Sequence, residues 1–123
     1  ALGAEGVQMG TRMLASLESG VHGNVKDAVV RATETDTVLL NRHNRKPMRV
    51  LRTDLVDSLL DVPDPDVFAR LAHVTTLYYD GDLEASLAQL GQVAGRVDEI
   101  LPVAEIFRRT LKEFDEVVGG LPR

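Results

Sequence analysis

Ala1-Leu-Gly-Ala-Glu-Gly6-Val7-Gln8-Met9-Gly10-Thr11-Arg12 decides how this chain reads. Gly6 to Met9 has the composition of a short buried strand, and Gly10-Thr11 follows at its carboxyl end. A glycine there lets the backbone approach a ligand closely, while the next amide and hydroxyl can donate to phosphate oxygens. Strand ends of this kind hold phosphate in barrel enzymes. A strand also needs neighbours, and none precedes this one, so the expectation is a carboxyl-terminal portion of something larger. The simpler reading of Gly10-Thr11 is a plain strand-ending turn.

Composition narrows the classes. The chain has 123 residues, 44% of them hydrophobic and 27% charged, which suits one globular core rather than a disordered segment. Aromatic residues make up only 4%, so the core has to rest on Val, Leu and Ala. The net charge of -5 argues against nucleic acid as a partner. The absence of cysteine removes disulfides, thiolate metal sites and cysteine nucleophiles. No apolar run is long enough to span a bilayer, and no signal peptide opens the chain. A soluble cytoplasmic protein is expected.

Further along, residues 23 to 32 carry Val25, Ala28, Val29 and Ala32 on one helical face. Asp36 to Leu40 and Met48 to Arg52 read as two short strands joined by the basic loop Asn41 to Pro47. Asp54 to Leu60 is a helix stopped by Pro63. Asp64-Pro65-Asp66 then opens another, with Asp64 as N-cap and Pro65 at the first helical position, running to Gly81. Ala85 to Val97 reads as a helix whose Gly91 and Gly95 allow close packing. Pro102 starts the last helix, in which Val103, Ile106, Phe107, Leu111, Phe114, Val117 and Val118 recur at helical spacing until Gly119 and Gly120. The last turn of a helix is expected at Ala1 to Ala4.

Taken together, these segments resemble the nitronate monooxygenases (2-nitropropane dioxygenases) and the related flavin-dependent enoyl-acyl-carrier-protein reductases. Ala1 to Arg12 resembles the eighth barrel strand of that family. Glu18-Ser19, His22, Asn24 and Lys26 are similar to its Glu-Ser...His-Pro-Asn-Tyr-Lys segment, with Gly23 and Val25 replacing Pro and Tyr. Thr35-Asp36-Thr37 with Pro47 to Val50 resembles its pair of short strands. Gly91 to Gly95 and Asp98 to Ile106 resemble its closing helices.

The resemblance implies an α-rich α+β chain: the last strand of an FMN-binding (β/α)8 TIM barrel, two further short strands and carboxyl-terminal helices. Its implied parts are a barrel strand and phosphate-binding turn at 1–20, a small helical region with a two-stranded hairpin at 21–101, and an amphipathic helix at 102–123. Met9, Gly10 and Thr11 are the implied cofactor-binding residues for FMN, with NAD(P)H an optional electron donor. Implied substrates are an alkyl nitronate, a quinone or an enoyl thioester. The family's catalytic histidine and seven of its strands have no counterpart here, so the chain is expected to be inactive alone.

His22, His43 and His73 lack metal spacing and read as capping, turn and surface residues respectively. No catalytic or metal-binding residue is assigned. The basic residues Arg42, Arg45, Lys46, Arg49 and Arg52 could draw a cofactor phosphate, against the plainer reading of a solvated hairpin. Gln92 could approach a flavin edge, although close helix packing explains its glycine neighbours more simply. The alternative function is a self-standing helical dimerisation or interaction module without catalysis. A homo-oligomer is compatible with either reading.

Overall fold

The computed structural model describes residues 3–42, 46–63 and 66–121. Its order is α1 (Thr11–Leu14), α2 (Gly23–Arg31), β1 (Thr37–Leu40), β2 (Met48–Leu51), α3 (Asp54–Leu60) and α4 (Val67–Arg70). A 3-10 turn at Leu71–His73, a π-helical turn at Thr76–Asp80, a 3-10 turn at Gln92–Arg96 and α5 (Val103–Gly119) follow. β1 and β2 pair antiparallel, Thr37 opposite Leu51 and Leu40 opposite Met48. The 88–89 segment flanks β2, with the Leu51 amide donating to the Ala88 carbonyl at 2.8 Å and an isolated bridge joining Val50 to Gln89.

Two apolar clusters hold these elements. Ala28 and Val29 of α2 meet Ala15, Leu51, Leu77, Ala88, Leu90, Ala94 and Val97. Leu40 and Val50 of the hairpin meet Val56 and Leu59 of α3, Val67 of α4 and Leu87. Small aliphatic side chains fill both, as the scarcity of aromatics requires.

Local chemistry sets the helix ends. Thr53 caps α3 by accepting the Val56 amide, and Asp66 caps α4 by accepting that of Ala69. The N-cap of α4 is therefore Asp66, two residues after the Asp64 expected. Asp64 and Pro65 themselves lie outside the described residues. The helix expected to run to Gly81 is instead divided into α4, a tight turn and a wide turn. It does stop at Gly81, whose φ of 80° is the left-handed conformation that glycine adopts without strain.

Three other expectations change. Residues 6–9 pair with no strand among the described residues, so they form no strand here. A strand is defined by its ladder, and Val7 is 76% exposed with nothing across from it. At Ala85 to Val97 only Gln92–Arg96 coils, as a 3-10 turn. The close packing expected of these glycines is met at Gly95, where a Cβ would lie 2.6 Å from the Glu34 nitrogen, against a turn and not another helix. Gly3 has a φ of 90° and Ala4 is not helical, so no helix turn ends at Ala4; Ala1 and Leu2 lie outside the described residues.

Ile106 is buried, yet Phe107, Leu111, Phe114, Val117 and Val118 all face solvent. Among the described residues no helix is long and apolar enough to cross a membrane.

Candidate functional site: the Gly10–Arg12 turn

Gly10 is the N-cap of α1, and its carbonyl accepts the amides of Met13 and Leu14, both at 3.0 Å. The amides of Gly10, Thr11 and Arg12 have no acceptor among the described residues. First-turn amides are unsatisfied in any helix and point outward, ready for an anion. A Cβ on Gly10 would meet nothing within 4 Å, so the space above this turn is open. Met9, half-buried, precedes it.

Distant residues fix the turn. Thr11 is only 8% exposed, and its Oγ1 accepts the Gly91 amide at 2.9 Å. The hydroxyl proton is left for another acceptor. Arg12 donates through Nη1 to the Glu99 carbonyl at 2.8 Å, while its buried Nη2 has no partner among the described residues. A positive charge with an unsatisfied nitrogen thus lies directly after the open turn. Sequence reasoning named Met9, Gly10 and Thr11 but missed Arg12 and Gly91. Arg12 carried one signal, its place immediately after Gly-Thr.

Phosphate is the ligand group this donor set suits. Three backbone amides and one hydroxyl can donate to it.

The remaining candidates have structural employment. His22 Nδ1 accepts the Asn24 amide at 3.1 Å and caps α2, while the His22 amide donates to the Tyr78 carbonyl. His73 is exposed, and His43 lies outside the described residues. Arg42 donates to the Leu39 carbonyl, Arg49 to Thr37 and Arg52 to Asp57. The Lys46 ammonium stands 5.3 Å above the Phe68 ring. Arg45 is outside the described residues, and the others decorate a hairpin. No group of His, Asp and Glu among the described residues could hold a metal ion.

A groove of about 500 Å³ runs between α3 and α4, lined by Leu59, Arg70, His73 and Glu84 among others. None of its residues belongs to the Gly10–Arg12 turn. Its carboxylates serve the backbone: Glu84 accepts the amides of Asp54 and Leu55, and Asp66 caps α4.

Comparison with known proteins places the chain in a family. A family model described as "Nitronate monooxygenase" matches residues 1–113. A "Putative monooxygenase" of Mycobacterium tuberculosis is 31% identical over 98% of this chain, which spans 36% of that relative. A "Probable nitronate monooxygenase" of Staphylococcus saprophyticus is 43% identical over 63 residues, covering 51% of this chain and 18% of its own length. Among solved structures, FabK from Thermotoga maritima superposes with a TM-score of 0.86 at 39% identity, covering 95% of this chain and 39% of its own. The chain thus spans well under half the length of these relatives. Sequence and fold agree over nearly all of it: the chain belongs to the nitronate monooxygenase family.

Proposed function

We propose that the chain is the phosphate-holding, carboxyl-terminal part of an FMN-dependent oxidoreductase of the nitronate monooxygenase type. The observation that carries this is the Gly10–Arg12 turn, where three amides have no acceptor among the described residues and the space above Gly10 is open. Gly10 and Thr11 would bind the FMN phosphate, and the Thr11–Gly91 bond would keep the turn in shape. When bound, the flavin supplies the electron-transfer chemistry, and the protein supplies orientation. The substrate would be an alkyl nitronate oxidised with oxygen. In the alternative, electrons would pass from NAD(P)H to a quinone or enoyl thioester.

No residue of the turn acts as an acid or base, so this chain contributes binding and not turnover, and alone it is inactive. The isolated chain is expected to purify colourless. Added FMN should bind weakly in a flavin-fluorescence titration, inorganic phosphate should compete, and riboflavin should bind less. Gly10→Ala should lower FMN affinity about tenfold, because its Cβ would stand in the open space proposed for the phosphate. Equal binding of riboflavin and FMN would refute the phosphate assignment, and a yellow preparation would refute the weak binding of the isolated chain. A second reading, a non-catalytic helical interaction module, draws on the exposed stripe of α5.

A further inference from the structure

The Gly10–Arg12 turn does not hold its own shape. α1 is a single helical turn, far too short to persist in water alone, and no side chain caps its start. The direction of its first amides is therefore set by the two side chains that leave it, Thr11 for Gly91 and Arg12 for Glu99. Gly91 opens a 3-10 turn anchored by the fully buried Ala94. Glu99 has no such anchor, because residues 98–100 belong to no helix or strand. Among the described residues two hydrogen bonds reach this segment, both at Glu99. Arg12 Nη1 donates to its carbonyl at 2.8 Å, and Arg109 Nη1 donates to its Oε1.

α5 brings Arg109 there. The start of α5 is tied to the chain just after α1: the Val103 amide donates to Glu18 Oε2 at 2.9 Å, and the Leu17 amide to the Leu101 carbonyl at 3.0 Å. Buried Ile106 seats its first turn. Arg109 Nε donates to Glu105 Oε1 at 2.6 Å, four residues back on the same face. That second bond fixes the plane of the guanidinium, so the rigid fork presents Nη1 to Glu99 in one direction. Neighbouring Arg108 gives the contrast. Its Nε and Nη2 bond Glu105 at 2.7 and 2.6 Å, and it makes no bond to Glu99.

We infer that Arg109 is a positioning residue for the Gly10–Arg12 turn: it holds the Glu99 carboxylate, so that the Glu99 carbonyl holds Arg12. This role rests on the phosphate reading of the turn. Without Arg109, Glu99 is left on one bond in a segment that no other hydrogen bond supports. Arg12 then loses a fixed acceptor, and the amides of a one-turn helix lose a fixed direction. FMN would find its phosphate donors less preorganised, whereas riboflavin, which has no phosphate, would lose nothing. The ratio of the two affinities therefore isolates the effect from a general loss of structure.

Fluorescence titration of the 123-residue chain with FMN and with riboflavin tests this, with circular dichroism and urea unfolding on each variant. The wild type should prefer FMN. Arg109→Gln should cut that preference about two- to fivefold, the range of an ion pair whose side chains are both 43% exposed. Arg12→Gln should cut it about tenfold. Adding Arg109→Gln to Arg12→Gln should cut it no further, because the route through Glu99 is already broken. Arg108→Gln removes an ion pair from the same helix and should leave the preference unchanged. An unchanged preference in Arg109→Gln overturns the role. So does an equal loss in Arg108→Gln, or a double variant whose losses multiply. A wild type without preference for FMN refutes the phosphate reading itself, and the role of Arg109 falls with it.

Discussion

Replacing Gly95 by Ala tests how the Gly10–Arg12 turn is built from a distance. The new Cβ would lie 2.6 Å from the Glu34 nitrogen, 2.8 Å from the Thr33 carbonyl carbon and 2.9 Å from the Glu34 Cα. These are backbone atoms, so no flexible side chain can swing away. Thr33 is also tied down, its amide and hydroxyl both donating to Asp36 at 2.8 and 2.9 Å. Overpacking of this kind costs about 1–3 kcal/mol. Ala removes backbone freedom from the unfolded chain, which returns about 0.4–1 kcal/mol. The net expectation is a loss of about 1–2 kcal/mol, or roughly 3–10 °C in Tm for a chain of this size.

The effect should reach the site. Gly95 lies in the 3-10 turn that follows Gly91, and the Gly91 amide holds the Thr11 hydroxyl. Urea unfolding measures stability, and FMN titration of the folded protein at low urea measures the site. Gly10→Ala is the control, since its Cβ meets nothing within 4 Å and should leave stability within about 0.5 kcal/mol. Should Gly95→Ala match wild type in stability, the close approach at Gly95 would not be what shapes this turn.

Gly23→Pro should stabilise the chain by about 0.4–1 kcal/mol in urea unfolding, because Gly23 is the first residue of α2 and His22 before it already has a φ of -59° and ψ of 149°. Thr11→Val should cost about 1–3 kcal/mol by leaving the Gly91 amide unpaired, and should weaken FMN binding too. The hydrogen bonds from Arg108 and then Arg109 hold the Glu105 carboxyl down at about 2, against an ordinary 4.5. A depressed folded-state pKa gives stability that is present above the unfolded value and lost as pH falls. The helical circular dichroism signal should therefore decline between pH 4.5 and 2, and Glu105→Gln should flatten that decline.

The sequence disclosed those elements whose signals are local. α2, α3, α5 and the hairpin carry their own periodicity and caps, and lie where that periodicity places them. The 76–80 and 92–96 turns do not, because their shape answers to partners elsewhere: Tyr78 to the Gln89 amide, Gly95 to the Thr33–Glu34 backbone. The site divides along the same line. Gly10 and Thr11 are visible as a pair in sequence. The Thr11–Gly91 and Arg12–Glu99 bonds join residues 80 and 87 positions apart, and no spacing rule connects them.

The residues that made the family recognisable turn out to be fasteners. Glu18 Oε2 accepts the Val103 amide at 2.9 Å, at the unsatisfied start of α5. The Ser19 amide donates to Ser16, His22 caps α2, and Lys26 donates to the Leu17 carbonyl. Asn24 reaches the Gly81 carbonyl at 3.1 Å, and a Cβ on Gly81 would collide with the His22 ring. Glu18, His22, Asn24 and Lys26 join separate elements or close a helix end through their side chains, and replacing one takes away the partner of a backbone group. Such positions identify a fold because they are hard to replace, and that is a reason separate from chemistry. The Gly10–Arg12 turn is held by such fasteners and adds to them three consecutive amides without an acceptor among the described residues, beneath the open space above Gly10, and the proposed phosphate site rests on that combination.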